Sequence, residues 1–278
     1  MNKNFRFYGY IGLGIIFISE ILLFKKQKFV SEFFTPIVWT GYILFLDALN
    51  FKLFSKSLIY PHFKDFLLML FLSVAFWFIF EFYNLFLQNW KYLNLPENLV
   101  IRILGYFWAF STILPGIFET EILIENTKIC ALKTKPIKFS EGVLRGFIIF
   151  GILCLLSVFL VPRNTARYLA AFVWTGFVFL LDPINKKIGA DSFLADLEEG
   201  SWNRFFSFFL AGLICGILWE FWNYWTYTKW EYHLPFYAGF KIFEMPILGY
   251  LGFLPFAQEC FCMYNFSISL LKRKSLLR

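Results

Sequence analysis

The sequence predicts an all-α integral membrane protein with about eight transmembrane helices, arranged as two parallel four-helix repeats. Three observations predict this fold. The composition is 59% hydrophobic, 23% aromatic and only 16% charged, the chain contains eight long apolar runs, and its second half repeats its first. Soluble domains carry about 25% charged and about 45–50% apolar residues. The composition therefore excludes a soluble enzyme, a disordered chain and a disulfide-rich secreted domain.

Eight apolar runs are long enough to cross a bilayer, which needs about 20 residues in a helix. They lie at residues 8–24, 34–53, 66–89, 100–123, 143–162, 168–185, 205–228 and 240–266. No small-residue cleavage site follows the first run, so we expect a retained span rather than a signal peptide. Most of the 26 Lys and Arg residues fall in loops on the side of the two termini. This bias predicts that both termini are cytoplasmic.

The two halves of the chain match each other in order, which indicates an internal duplication. Residues 38–50 match 173–185, 81–84 match 220–223, and 90–92 match 230–232; further on, 103–106 match 247–250 and 114–119 match 254–259. Each half holds four runs, so the chain returns to its starting side and the halves have the same orientation. We therefore divide the chain into repeats at residues 1–138 and 139–278.

Acidic side chains within or beside the apolar runs are the candidate functional groups, because each costs about 2.5–3.5 kcal/mol inside a membrane. They are Glu20, Asp47, Glu81, Glu119, Asp182, Glu220, Glu244 and Glu259. The same runs contain almost no Lys or Arg that could pair with them. These carboxyl groups are therefore expected to face the protein interior.

A Glu followed by an Asn three residues later occurs in both halves, as Glu81 with Asn84 and Glu220 with Asn223. On a helix this spacing places both side chains on one face. The pair is a candidate acid with an orienting partner. The alternative is an interhelical hydrogen bond that only holds the bundle together.

Pro115 and Pro255 lie inside predicted spans, four residues before Glu119 and Glu259. A proline there removes a helical hydrogen bond, and a broken helix in a membrane is tolerated where it is buried or lines a cavity. This favours Glu119 and Glu259 as site residues. Asp182 lies near a cytoplasmic helix end, where anchoring of a loop is the alternative role.

The second half is favoured as the functional one, because its aromatic residues are larger and Glu244 has no counterpart in the first half. The Trp and Tyr residues at 90–92 and 230–232 are interpreted as an interfacial aromatic belt. The expected catalytic residues are Glu220, Asn223, Glu259 and Glu244. The expected substrate-binding residues are Trp219, Trp222, Trp225, Tyr250, Glu81, Asn84, Glu119 and Asp182. No metal-ligand spacing and no cofactor motif are present, so neither a metal nor a cofactor is expected.

Two resemblances to families follow from the second half. Trp230-Glu-Tyr232, together with the segment from Gly249 through Pro255 to Glu259, resembles the pattern of the small membrane-embedded lycopene cyclases of heterodimeric and bifunctional type. That resemblance implies a polytopic helical bundle that closes a carotenoid ring by proton-initiated cyclisation, an isomerase- or lyase-type reaction. The run of residues 219–225 with Phe-Glu-Met-Pro at 243–246 is similar to a family of uncharacterised bacterial inner-membrane proteins, which implies that location.

Three functions remain open from the residues. The first is an isoprenoid- or lipid-modifying enzyme in which buried carboxyl groups perform acid–base chemistry, which suits an acid in a dry, aromatic pocket. The second is a proton-coupled transporter of a small solute, and the third is a non-catalytic membrane scaffold or accessory subunit. The bilayer and an isoprenoid or lipid substrate are the expected partners. Nucleic acid is not expected, and the sequence leaves the oligomeric state open.

Overall fold

The protein is a bundle of long helices with two short antiparallel strand pairs at one end. The structure, a computed structural model, describes residues 4–235 and 239–276, with the backbone alone for 272–276. Lys3 and Arg278, two of the basic residues that predicted the orientation, lie outside the described residues. The helices are α1 (Phe7–Phe24), α2 (Lys28–Phe54), α3 (Phe63–Leu87), α4 (Leu99–Ser111), α5 (Ile113–Thr127), α6 (Glu141–Leu160), α7 (Arg163–Ala166), α8 (Ala170–Ile188), α9 (Phe193–Glu198), α10 (Asn203–Trp225) and α11 (Phe253–Leu276).

Six helical segments within the described residues are long and apolar enough to cross a membrane. They are Phe7–Phe24, Lys28–Phe54, Phe63–Leu87, Leu99–Thr127, Glu141–Leu160 and Asn203–Trp225. The predicted class, an all-α membrane protein, is therefore confirmed. Helices α8 and α11 are not among the six because both are more polar than those segments. Helix α8, for example, carries the charged residues Asp182, Lys186 and Lys187.

The predicted run at 240–266 does not form one helix. Its first part forms the strands β3 (Lys241–Ile242) and β4 (Met245–Pro246), which pair antiparallel, and then a 3-10 helix (Ile247–Gly252). Helix α11 begins only at Phe253. The reason is local: Phe243 has a positive φ of 58°, which makes the tight turn, and Pro246 lacks the N–H that a helix interior needs.

The prolines at 115 and 255 each lie in the first turn of a helix rather than in its middle. The run at Leu99–Thr127 breaks at Thr112, where α4 ends, and Pro115 is the third residue of α5. Pro255 is likewise the third residue of α11. The first turn of a helix has free N–H groups, so proline loses no hydrogen bond there. The expected breaks exist, and they are the starts of new helices.

A two-stranded ribbon joins the two halves of the chain at one end of the bundle. Strand β1 (Trp90–Leu93) pairs antiparallel with β2 (Lys229–Tyr232), so that Trp90 lies opposite Tyr232 and Tyr92 opposite Trp230. We call this the ribbon. Below it, Trp39 of α2 packs against Trp219 and Trp222 of α10, with ring centroids 5.0 and 5.2 Å apart. The largest hydrophobic core includes Trp39, Trp219 and Trp222 and extends over both halves.

Candidate functional site

A cavity of about 520 Å³ lies beneath the ribbon, between the two halves of the chain. We call it the aromatic cavity. Its wall is largely apolar, and it includes aromatic side chains from both halves: Phe33, Trp77, Trp90, Tyr92, Tyr106, Phe110, Trp174, Trp219, Trp230, Tyr232, Phe253 and Phe256. Its size and lining are those of a ligand-binding pocket, which typically measures about 300–1,000 Å³ and holds a few placed polar groups.

Glu81 lies behind this wall and is hydrogen-bonded to three of its side chains. Its Oε1 accepts from Trp77 Nε1 at 2.8 Å, Trp90 Nε1 at 3.1 Å and Tyr92 OH at 2.5 Å. The carboxyl group itself is not on the cavity lining, whereas all three donors are. Glu81 therefore reaches the cavity through Tyr92, and it sets the orientation of both indoles.

Glu220 has the same arrangement in the second half. Its Oε1 accepts from Trp230 Nε1 at 3.2 Å and from Tyr232 OH at 2.9 Å, and its Oε2 has no hydrogen-bond partner among the described residues. Burial raises the pKa of both Tyr92 and Tyr232 well above the usual value of a phenol. Both phenols therefore stay protonated at neutral pH, and each O–H donates a hydrogen bond to its carboxyl group.

The asparagines that follow these glutamates hold the ribbon and do not contact the carboxyl groups. Asn223 Nδ2 donates to Trp230 O at 2.8 Å, and Trp230 N donates to Asn223 Oδ1 at 2.9 Å. Asn84 Nδ2 likewise donates to Trp90 O at 2.9 Å. Among the described residues, neither Asn223 nor Asn84 forms a hydrogen bond with the glutamate that precedes it. Each asparagine lies near the end of its helix and binds the backbone of the strand that follows.

Glu119 and Glu259 are both completely buried, but their contacts differ. Glu119 Oε2 accepts from Asn50 at 2.7 Å, and the same amide donates to Glu119 O. The matching amide of Asn185 donates instead to Cys262 O at 2.9 Å. Glu259 Oε1 accepts from Phe177 N at 3.0 Å. Asn185 therefore contacts a residue three positions after Glu259, whereas Asn50 contacts Glu119 itself. Neither glutamate lines the aromatic cavity.

Asp182 anchors a loop. Its two carboxylate oxygens accept from the backbone N–H groups of Phe193 and Leu194, at 2.8 and 2.9 Å, at the start of α9. Asp47 accepts from Leu58 N and Ile59 N in the same way. Asp182, an expected substrate-binding residue, is not on the cavity lining, and its contacts are those of the alternative role, a helix-end anchor.

Glu244 lies in the turn between β3 and β4, outside any helix, and forms an ion pair with Lys229. This pairing accounts for its position without a catalytic role. Tyr250 donates its hydroxyl to Ile242 O at 2.9 Å and so ties the 3-10 helix to β3. Of the other expected binding residues, Trp219 lines the aromatic cavity, whereas Trp222 and Trp225 line a second, more polar cleft.

Of the aromatic residues in the cavity wall, Trp219 is expected from the sequence and the others are not. Trp90 and Tyr92, with Trp230 and Tyr232, were interpreted as an interfacial belt, but Trp90 is 7% exposed and all four point to the cavity. Trp77 has no counterpart in the second half. The sequence feature that could have identified them is Glu-x-x-Asn followed by Trp-x-Tyr, which occurs in both halves. In the structure, the Glu and Asn side chains hydrogen-bond to the Trp and Tyr residues of the same half. Within the described ranges, no group of three or more His, Cys, Asp or Glu side chains is arranged to hold a metal ion.

Fold and site together define a polytopic α-helical membrane protein with an apolar cavity lined in part by aromatic side chains. No family model, curated protein or solved structure matches this chain.

Proposed function

We propose that this protein binds an isoprenoid- or lipid-type molecule in the aromatic cavity and modifies it by acid–base chemistry. The observation that carries the proposal is the pair of phenols on the cavity wall, Tyr92 and Tyr232, each hydrogen-bonded to a carboxyl group, that of the partly exposed Glu81 and that of the buried Glu220. In each pair the phenol lies on the apolar cavity wall and the glutamate carboxyl group behind it can bind or release a proton. Acid–base catalysis requires that donor and acceptor lie within hydrogen-bond reach, and both pairs satisfy this.

The proposed reaction is a proton-initiated isomerisation. The carboxyl group of the pair is the acid in this step. In its neutral form it passes its proton to the phenol oxygen while the phenol passes its own proton to a double bond of the bound chain, which leaves the carboxylate and a carbocation. Loss of a proton elsewhere on the rearranged chain returns that proton to the pair, so the reaction consumes no co-reactant. The apolar wall excludes water from the cation, and the indole faces stabilise it electrostatically.

We further propose that the chain crosses the bacterial inner membrane eight times, as two parallel four-helix repeats with both termini in the cytoplasm. Helices α8 and α11, of 19 and 24 residues, would span about 28 and 36 Å at 1.5 Å per residue. Both lengths suit a hydrocarbon core of about 30 Å. The like contacts of Asp47 and Asp182, and of Asn84 and Asn223, support the repeat.

The apolar lining favours this function over the two alternatives. A proton-coupled carrier needs a polar route from Glu81 and Glu220 to one face of the membrane, whereas these groups adjoin an aromatic wall. A scaffold needs no cavity, and a well-packed interior leaves few voids larger than a water molecule.

The test has two stages. First, the lipids that copurify with the detergent-solubilised protein are identified by mass spectrometry. Ala171 lines the cavity and is itself exposed, so Ala171→Phe fills the space without displacing the core. Ala131→Phe places the same ring on an exposed loop outside the cavity lining. We expect a specific isoprenoid or lipid in the wild type and in Ala131→Phe, and its loss in Ala171→Phe.

Second, the retained molecule is incubated with the protein in phosphatidylcholine nanodiscs prepared in D2O. Proton transfer places deuterium on its carbon atoms, which mass spectrometry detects without knowledge of the product. We expect Glu220→Gln to lower the incorporation about 100-fold or more. The control Glu231→Gln changes a ribbon residue that pairs with Lys91 at 3.9 Å, outside the cavity lining, and should leave it unchanged. Copurification of bulk phospholipid alone in all variants, or no deuterium uptake, would contradict the proposal.

A further inference from the structure

The aromatic cavity has one polar end, where α4 meets the segment that follows the ribbon. Arg102 of α4 is the residue that distinguishes this end, and it lies on the cavity lining. Its Nε donates to Pro96 O at 2.8 Å, and its Nη2 lies 3.5 Å from Glu97 O. These backbone contacts hold the guanidinium in one orientation. A guanidinium has five N–H donors, so further donors remain available.

Arg102 has no acidic partner among the described residues. The other basic residue on the lining, Lys229, is different because Glu244 pairs with it. Arg102 is only partly exposed, and an unpaired charge beside an apolar wall is costly. An orientated cation of this kind is suited to receive an anion, which a guanidinium binds through short, charge-assisted hydrogen bonds.

The polar end continues into the second cleft, which has a volume of about 1340 Å³. Leu95, Pro96 and Glu32 belong to the linings of both spaces, so the two adjoin along a shared wall. The cleft adds Lys28, one helical turn before Glu32 on α2, and the opposite charges of these two residues offset each other in part. The cleft also contains Lys26, Glu20 and Glu97, and neither of these two glutamates forms an ion pair with Arg102 among the described residues. Arg102 is therefore a cation of the cavity lining with no carboxylate of the described residues bound to it.

We propose that the ligand is an amphiphile with an anionic head group, whose chain occupies the aromatic cavity and whose anion is bound by Arg102. This inference rests on the proposed function and narrows its substrate class, because a pure hydrocarbon leaves Arg102 without a partner. A carboxylate and a phosphate ester share the required chemistry, since both present two oxygens to the N–H groups of a guanidinium.

The experiment measures binding of three brominated twelve-carbon probes to the protein in phosphatidylcholine nanodiscs. The probes are the alkyl phosphate, the carboxylate and the neutral alcohol, and the signal is quenching of the Trp residues that line the cavity. If Ala171→Phe abolishes the quenching and Ala131→Phe does not, the quenching comes from a probe bound in the aromatic cavity. We expect the wild type to bind an anionic probe about tenfold more tightly than the alcohol, the magnitude of one charged hydrogen bond. The better of the two anions identifies the head group as phosphate or carboxylate.

Two Arg variants test the role of the guanidinium. Arg102→Gln should bind all three probes equally, and its unchanged affinity for the alcohol shows that the cavity is folded. Arg102→Lys keeps the charge and should retain part of the preference. Arg163→Gln, a change at an exposed arginine of α7 outside the cavity lining, should leave the preference intact.

The outcomes separate the two proposals. If the alcohol and the anions bind the wild type equally, or if Arg102→Gln keeps the preference, the anionic head group is refuted while the cavity remains a chain-binding site. If Ala171→Phe removes no quenching by any probe, the proposed function itself fails.

Discussion

Removal of the Asn223 side chain is expected to destabilise the protein more than any other single truncation at the ribbon. Asn223 is completely buried and makes two hydrogen bonds to the backbone of Trp230, at 2.8 and 2.9 Å. Trp230 lies opposite Tyr92 in the ribbon, and Asn223→Ala leaves its N–H and C=O without these partners. An unsatisfied buried group costs about 1–3 kcal/mol, so the two together cost about 2–6 kcal/mol.

The assay is thermal unfolding in detergent, followed by near-ultraviolet circular dichroism. For chains of this size, each kcal/mol lowers the midpoint by about 2–4 °C, so the expected decrease is roughly 4–24 °C. The matched control is Asn126→Ala, because Asn126 Nδ2 makes one hydrogen bond, at 2.7 Å, within its own helix. The control should change the midpoint by at most about 6 °C and by less than Asn223→Ala does. Equal midpoints for Asn223→Ala and Asn126→Ala would refute the anchoring role.

Three further predictions concern packing, charge and pH. Gly151→Ala should destabilise the protein because a Cβ there would lie 2.5 Å from the backbone of α8. Gly146→Ala, on the same helix with nothing within 4 Å of the added Cβ, should be neutral or stabilising. The thermal unfolding midpoints of the two variants test this prediction. Glu244→Gln should cost about 1–3 kcal/mol by leaving Lys229 unpaired, and adding Lys229→Gln should recover part of it in a double-mutant cycle; fully additive losses would contradict the pairing. Burial raises the pKa of Asp196 from 3.8 to about 6. The folded state therefore binds this proton more tightly than the unfolded one, and the stability it contributes is lost as the pH rises from about 4 to about 6. Asp196→Asn should flatten that decline in unfolding midpoint, and an unchanged pH profile would contradict it.

The fold class follows from the sequence because mean hydropathy and span length are local properties of the chain. The break beside Pro115 follows from the proline itself, whereas the strands at 241–246 depend on the positive φ of Phe243 and on Pro246, which mean hydropathy does not encode. Phe243 and Glu244 lie in an apolar stretch that continues into α11, and the ion pair with Lys229 is visible only once the chain is folded. Boundaries such as Phe253 are therefore found by structure rather than by hydropathy.

The site was predictable in part for the same reason. Glu81 and Glu220 stand out in the sequence as acids in apolar helices, and Trp219 as a bulky aromatic. Their partners do not stand out, because Trp90 and Tyr92 follow a helix end, where aromatic residues usually mark the membrane surface. Only the antiparallel register, which sets Trp90 against Tyr232, turns these side chains inward.

The ribbon also has a consequence for biosynthesis. Strand β1 is complete early in translation, but its partner β2 is made only after α4 to α10. At about 5–20 residues per second, β1 waits roughly 7–30 s with unpaired backbone groups. An unpaired strand edge can pair with other chains and cause aggregation. Strand β1 is less prone to this because it is only four residues long and Lys91 lies on its exposed face. The aromatic cavity thus comes into existence only when the second half is inserted, so a truncated first half carries the acid Glu81 but no enclosed space in which to use it.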